Sequence, residues 1–157
     1  LIDNADERHA PRIARAVIAA RPVADTACLA EVVRDAIPAP ARRRGGHPAK
    51  RTFQAIRIEV NAELEQLADS LEEAIRRLVA GGRGAVLSYH SGEDRIVKRC
   101  FDLAATGGCA CPPRLPCACG AMPLAVLPRR GGRVPGTVEA AANPRAASAR
   151  LRVLERR

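Results

Sequence analysis

Two short stretches of the chain concentrate side chains whose chemistry exceeds what packing requires. The first is Cys109, Cys111, Cys117 and Cys119, a C-x-C-x5-C-x-C pattern that places four soft ligands within eleven residues. Four thiolates meet the tetrahedral preference of zinc and leave no open coordination position, so a metal held here would be structural. Against this, C-x-C is tighter than the usual gap of two to four residues between ligands, and Pro112, Pro113 and Pro116 restrict how the two pairs meet. Two readings stand: a zinc staple for a loop too poor in apolar residues to fold by itself, or four reduced thiols. Cys28 and Cys100 fall on apolar helical faces and belong to neither reading.

The second stretch runs from Ser88 to Asp94. His90 and Ser91 stand where an expected strand meets a helix N-terminus, the place where backbone N–H groups accept anions and open α/β sheets bind ligands. A hydrolase triad of Ser91, His90 and Asp94 is disfavoured, because sequence neighbours point in different directions and no elbow glycines flank the serine. The plainer alternative is a helix cap, Ser91 with Asp94 three residues on, behind a half-buried histidine. Gly81, Gly82 and Gly84 follow a helix instead of joining a strand to one, and no Lys with Ser or Thr comes after them. They read as a helix stop and not as a phosphate loop.

Charge supplies a third signal. Lys and Arg number 26 against 17 Asp and Glu, a formal net charge of +9 over 157 residues, and only Lys50 and Lys98 among the 26 are lysines. Arginine favours planar, bidentate phosphate contacts, and a basic chain gains from counterion release on a polyanion. Arg42, Arg43, Arg44, Lys50 and Arg51 crowd a loop punctuated by Pro38, Pro40, Gly45, Gly46 and Pro48, which reads as a phosphate-contacting loop or as a solvated basic one. Aromatics amount to 2% of residues, which disfavours base-stacking modules. No apolar run approaches the roughly 18 to 20 residues that cross a bilayer, and no secretion signal opens the chain. The expected compartment is the cytoplasm, with no membrane partner. The start at Leu1, with Met122 the sole methionine, fits a piece of a longer protein. Nothing in the residues fixes an oligomeric state.

The elements that must position these groups follow from periodicity. Ile13, Val17 and Ala20 share one face of a helix over about 7–20, with Pro11 in its first turn. Thr26 is the expected N-cap of a helix carrying Leu29, Val32, Val33, Ala36 and Ile37 until Pro38 stops it. From Phe53 through Ile56, Val60, Leu64, Leu67, Leu71 and Ile75 to Leu78 the apolar steps of three and four predict one long or two consecutive helices, Asn61 capping the second. Residues 84–90 read as a continuous apolar strand of the kind found in a parallel sheet covered on both faces. A helix with Ile96, Val97, Cys100, Phe101 and Ala104 on one face follows. A possible strand at 124–127, a mobile Pro, Gly and Arg linker at 128–136, a short alanine helix capped by Thr137 and a last strand come next. In that last strand Ala149, Leu151 and Val153 alternate with Arg150 and Arg152, which predicts the apolar three as the buried face. The fold class is α/β, with a helical segment before the sheet.

Three separated motifs, in order, carry a family resemblance. They are His47-Pro48-Ala49-Lys50-Arg51-Thr52-Phe53-Gln54-Ala55-Ile56-Arg57-Ile58-Glu59-Val60-Asn61, then Ser88-Tyr89-His90-Ser91-Gly92-Glu93-Asp94-Arg95-Ile96-Val97-Lys98, and finally Asn143-Pro144-Arg145 with Ser148 and Leu151-Arg152. This pattern resembles the ribosomal RNA small subunit methyltransferase H family, the 16S rRNA cytosine N4-methyltransferases. The resemblance covers the family's C-terminal half. It implies the C-terminal part of a Rossmann-like methyltransferase sheet over 48–157, with the Cys-rich loop at 107–120, preceded over 1–47 by the end of an inserted helical, substrate-side domain.

The resemblance further implies S-adenosyl-L-methionine as cofactor, held by residues expected in the N-terminal half, and 16S rRNA of the small ribosomal subunit as partner. By motif match and position, His90, Ser91 and Asn61 are the candidates for lining the cytidine pocket. Arg42, Arg43, Arg44, Lys50, Arg51, Arg57, Arg95 and Arg145 are the candidates for RNA phosphates, or else structural ion-pair partners of residues such as Glu59 or Glu93. Gly92 replaces a usual Leu, Tyr89 a Phe and Ala147 a common Arg. The competing class is a non-catalytic basic module, zinc-stapled or not, that only binds RNA.

Overall fold

The computed structural model describes residues 1–43, 46–112 and 116–157. The chain divides into two compact units, Leu1–Glu63 and Leu64–Arg157, a division that does not share the functional boundary expected at residue 47.

The first unit is helical: α1 (Ile2–Ala5), α2 (Ala10–Ala19), α3 (Thr26–Ala36), α4 (Ala39–Arg42) and α5 (Lys50–Asn61). Pro11 sits in the first turn of α2, where its missing N–H has no intrahelical partner to lose. The cap of α3 is Asp25 and not Thr26. Its carboxylate accepts the Cys28 N–H at 2.8 Å, and a negative charge suits the positive end of a helix. Ile13, Ala16 and Val17 of α2 meet Leu29, Val33 and Ala36 of α3 in a core closed by Ile37, Ala49 and Phe53. Asn4 fastens α1 to α5, its Nδ2 donating to the Ala55 carbonyl at 3.3 Å and to a Glu59 carboxylate oxygen at 2.9 Å.

The long apolar run from Phe53 resolves into two helices, α5 and α6 (Glu63–Arg77), with Ala62 between them in the left-handed region at φ 50°. Asn61 is the last residue of α5, and its Nδ2 donates to Glu63 Oε1 at 3.1 Å.

In the second unit α6 leads to β1 (Arg83–Ser88), α7 (Ser91–Thr106), β2 (Ala125–Val126), α8 (Thr137–Ala142), a 3-10 turn at Pro144–Ser148 and β3 (Arg150–Arg156). The three strands lie in the order β1-β3-β2, and both pairings are antiparallel. The fold is α/β as expected, but the parallel pairing expected for β1 does not occur among the described residues. A continuous apolar run reports burial potential and carries nothing about the direction of its partner. Nor is β1 covered on both faces. Val86 joins Leu154 of β3 and Ala125 of β2 against Leu71 and Ile75 of α6 and Val97, Phe101 and Ala104 of α7, while Ala85 and Leu87 on the other face are exposed.

The face of β3 is the reverse of the one its apolar alternation predicts. Arg152 and Leu154 are buried, opposite Val86 and Gly84, while Leu151 and Val153 take the far side of the sheet. The segment 128–136 touches the sheet at two points. Arg133 and Leu151 exchange both backbone hydrogen bonds, at 2.7 and 2.8 Å, and Arg152 Nη1 donates to the Arg130 carbonyl at 3.2 Å. The cap of α8 is Gly136, with Thr137 its first helical residue. Among the described residues no helix is long and apolar enough to cross a membrane.

α7 ends at Gly107, whose φ is 62°. A Cβ there would lie 2.6 to 2.8 Å from the backbone of Met122, and Leu124 N–H donates to the Ala104 carbonyl at 2.8 Å. Backbone contacts thus close the neck of the loop 108–121. Gly107→Ala should cost about 3 kcal/mol, joining the left-handed penalty to a clash with rigid backbone. Gly81→Ala, at φ 76° but facing open space, should cost about 1 kcal/mol. Denaturant unfolding of both variants measures the difference, and equal losses would mean the neck is not tightly closed.

Candidate functional site

The junction of β1 and α7 is organised by His90. Its backbone is extended, its Nδ1 accepts the Glu93 N–H at 3.3 Å, and the Glu93 carboxylate returns to accept His90 N–H at 3.3 Å and Tyr89 N–H at 2.8 Å. This is a capping box with His90 in the place of the usual Ser or Thr, so the expected Ser91 and Asp94 cap is replaced by His90 and Glu93. Gly92 admits the ring: a Cβ at that position would lie 3.2 Å from the imidazole Cε1 and Nδ1.

Acceptance at Nδ1 requires that nitrogen to be unprotonated, which assigns the proton of the neutral ring to Nε2. Nε2 is buried and 3.3 Å from Glu93 Oε1, but without hydrogen-bond geometry to it. His90 thus holds the turn in shape through Nδ1. Ser91 is exposed as the first residue of α7. Asn61 belongs to the other compact unit.

With the cap assigned to Glu93, Asp94 is available to the sheet. Arg152 grips it with two parallel bonds, Nε to Oδ1 at 2.7 Å and Nη2 to Oδ2 at 3.0 Å, and Arg150 Nε lies 3.5 Å from Oδ2. The Arg152 guanidinium holds the Asp94 carboxyl below the usual carboxylate range, outweighing the opposing effect of burial. This pair joins β3 to the first turn of α7, and sequence reading missed it. The only signal was an arginine inside an apolar alternation, legible as inward-facing only once the register is known.

Beside the junction lies a cleft of about 680 Å³, lined among others by Leu87, Tyr89, Val134, Glu139, Asn143 and Arg145. The Tyr89 ring is half-exposed, and Arg145 is the one candidate phosphate ligand that the structure brings to this cleft.

The first unit carries a second concavity, about 570 Å³, where Lys50 and Arg51 join Arg8, His9 and His47 around the buried Glu7. Arg8, His9 and His47 went unnoticed because nothing in the spacing links residues 8 and 9 to 47–51. The other basic candidates differ in how far they are committed. Arg42 donates to the Ile37 carbonyl at 2.7 Å and the Asp35 carbonyl at 3.1 Å, serving the end of α3, and Arg57 forms a two-bond pair with Glu63 at 2.9 Å each. Arg43 and Arg95 are exposed, Arg51 donates to the Asp6 carbonyl at 3.2 Å, and Arg44 lies outside the described residues.

The four loop cysteines come together. Their sulfurs all lie within 4.8 Å of one another, with Cys109 to Cys117 at 3.5 Å and Cys117 to Cys119 at 3.3 Å. The backbone N–H of Cys119, then the neighbouring thiols, lower Cys117 to about 6. Cys109 is favoured as thiolate by the Cys111 backbone but is pushed up to about 12 because it keeps the proton shared with Cys117 and Cys119. Such a cluster can hold a metal ion.

Comparison with known proteins agrees with the motifs. Residues 1–157 match the model of the MraW methylase family. The ribosomal RNA small subunit methyltransferase H of Frankia alni is 54% identical over 160 residues, covering 99% of this chain and 49% of that protein. The proteins of the same name from Acidothermus cellulolyticus and Heliobacterium modesticaldum are 57% identical over 154 residues and 49% over 160. These alignments cover 96% and 99% of this chain, and 46% and 51% of the relatives. The chain thus spans about half the length of the curated relatives it matches.

The Asp94 and Arg152 pair can be measured in this chain directly. Their side chains are 21% and 9% exposed, so Asp94→Asn should cost about 3 kcal/mol, the lower end for breaking a buried pair. Because the folded pKa lies below the unfolded one, this stabilisation is complete above about pH 4 and is lost as pH falls through the depressed value. The variant should accordingly show a flatter acid limb in stability against pH. Wild-type stability at neutral pH, or an unchanged acid limb, would contradict the assignment.

Proposed function

The chain belongs to the MraW methylase family, and from that premise we propose that it forms the C-terminal part of an S-adenosyl-L-methionine-dependent methyltransferase acting on N4 of a cytidine in 16S rRNA of the small ribosomal subunit. The observation that carries the reading is the family match over residues 1–157, which includes the junction built by Tyr89, His90, Ser91 and Glu93. Two features of the second unit support a larger, Rossmann-like sheet. β1 has a partner on one edge only among the described residues, and the face bearing Ala85, Leu87, Leu151 and Val153 lacks the helices that cover the other. Residues 1–47 are proposed as the end of the inserted helical domain.

The described residues do not by themselves form a cradle for S-adenosyl-L-methionine. Between β1 and α7 the amides of Glu93 and Asp94 are spent on the His90 ring and carbonyl. The path from β2 to α8 is long and bound to β3 through Arg133. Neither is a tight glycine turn from strand to helix. The cofactor contacts are therefore assigned to the part of the relatives that this chain does not span, and no step is derived through the cofactor here.

What these residues can do is hold the acceptor. A cytidine amine is barely basic, so catalysis rests on aligning its lone pair, with acceptors for its N–H groups helping to free that pair. Ser91 at the head of α7 is the acceptor proposed from the second unit, with His90 positioning it through the cap and Tyr89 offering a ring face to the base. Asn61 is proposed as a further acceptor on the motif match alone. Lys50 and Arg51, then Arg43, Arg44, Arg95 and Arg145, are proposed for phosphates. Arg42 and Arg57 are left out because Arg42 serves the end of α3 and Arg57 is held in a two-bond pair by Glu63, whereas the bond of Arg51 to the Asp6 carbonyl leaves its charge unneutralised by that contact.

Replacing Lys50 and Arg51 by Ala should lower the slope of log affinity for small-subunit RNA against log salt by roughly one unit per lost phosphate contact. Arg42→Ala should leave the slope alone and cost about 1 kcal/mol of stability instead. The opposite pattern would remove the groove from the interface. Calorimetry should detect no binding of S-adenosyl-L-methionine to this chain alone, and joining it to the N-terminal half of the Frankia alni relative should restore methylation of small-subunit RNA. Micromolar cofactor affinity for the chain alone would overturn the division of labour. A joined protein that binds RNA without methylating it would favour the non-catalytic module.

A further inference from the structure

We propose that Cys109, Cys111, Cys117 and Cys119 bind one zinc ion as a closed tetrathiolate site that folds the loop between α7 and β2. A zinc to sulfur bond near 2.3 Å sets the sulfur to sulfur edge of a tetrahedron at about 3.8 Å. The distances of 3.5 and 3.3 Å, and the limit of 4.8 Å on every pair, bracket that edge, so the four sulfurs reach ligand geometry by shifts of under about 1 Å. The spacing that looked too tight in sequence works because each C-x-C turns both of its sulfurs to the same point.

Among the described residues of the loop, Ala110, Pro112, Pro116, Ala118 and Gly120 are exposed and form no apolar cluster that would gather the sulfurs. The neck at Gly107 and Met122, with the Leu124 to Ala104 hydrogen bond, sets the two ends of the loop and leaves its interior to be organised by the cysteines. An all-sulfur donor set selects zinc over hard cations such as magnesium or calcium. With four thiolates no position stays open for water or substrate, so the ion stabilises the loop and takes no part in methyl transfer. Cys100 is excluded because it packs against the core of the second unit, and Cys28 because it lies on α3 in the other unit.

The test uses the full chain, without a histidine tag, purified in reductant from zinc-supplemented medium. Elemental analysis should find one zinc per chain, and a chelator should release four thiols to a colorimetric reagent. Cobalt added in place of zinc should give the intense absorption of a tetrahedral thiolate site. Cys111→Ser with Cys117→Ser, one ligand from each pair, should abolish bound metal, while Cys28→Ser with Cys100→Ser should retain it. Metal removal should open protease cleavage within 108–121 and leave the helical circular dichroism unchanged, which separates loss of the site from loss of the fold. Absence of zinc, iron in its place, disulfides among the four cysteines in reductant, or zinc retained by the Cys111 and Cys117 double variant would each overturn the proposal.

Discussion

The second unit depends on a buried charge. Arg152 lies on the helix-facing side of a three-stranded sheet, in a layer otherwise filled by Val86, Leu154 and the apolar stripes of α6 and α7. An unpaired guanidinium there would be several kcal/mol unfavourable, so the strand can take this register only with Asp94 opposite. Asp94 is in turn fixed to the first turn of α7, which ties the helix start to β3 and not merely to β1, its neighbour in sequence. The third arm of the same guanidinium reaches the Arg130 carbonyl and draws 128–133 onto the sheet. One ion pair thus sets strand face, helix entry and linker path together.

The candidate site inherits its shape from that arrangement through a division of labour between adjacent acids. Glu93 turns back to satisfy the free amides of Tyr89 and His90, and Asp94 turns away to the sheet. With both functions filled, His90 and Ser91 stand where β1 ends and α7 begins. The glycine at 92 completes this, since the imidazole occupies space that a larger side chain would contest.

Much of this was legible in sequence wherever a single element decides. The helices around Ile13, Val33, Leu71 and Val97 and the helix stop at Gly81 and Gly82 follow from periodicity and local chemistry alone. Where two distant segments decide jointly, local rules pointed the wrong way. The alternation of Leu151 and Val153 with two arginines reads as apolar in and charged out, and only the partner at Asp94 reverses it. The parallel reading of β1 failed for the same reason, because strand direction belongs to the pair. The break at Ala62 had no glycine or proline to announce it, and the His90 cap was hidden by an adjacent serine with a stronger intrinsic preference for that role. The position of His90 and Ser91 at the end of β1 was legible, but the capping role of His90 was not.

Charge shows the same split between quantity and allocation. The excess of +9 was plain from composition, yet composition does not say which cations are spent. Arg76 pairs with Glu72, Arg77 with Glu73, Arg83 with Glu155 and Arg57 with Glu63, so acidic residues neutralise much of α6 and the outer edge of the sheet. Around Lys50 and Arg51 lie the buried Glu7, whose Oε1 already accepts the His9 N–H at 2.9 Å, and Asp6, whose backbone carbonyl accepts from Arg51. A polyanion gains most where cations are concave, clustered and not already neutralised by carboxylates. That criterion is why the concavity of the first unit, where Lys50 and Arg51 lie with Arg8, His9 and His47, is the one proposed for phosphates.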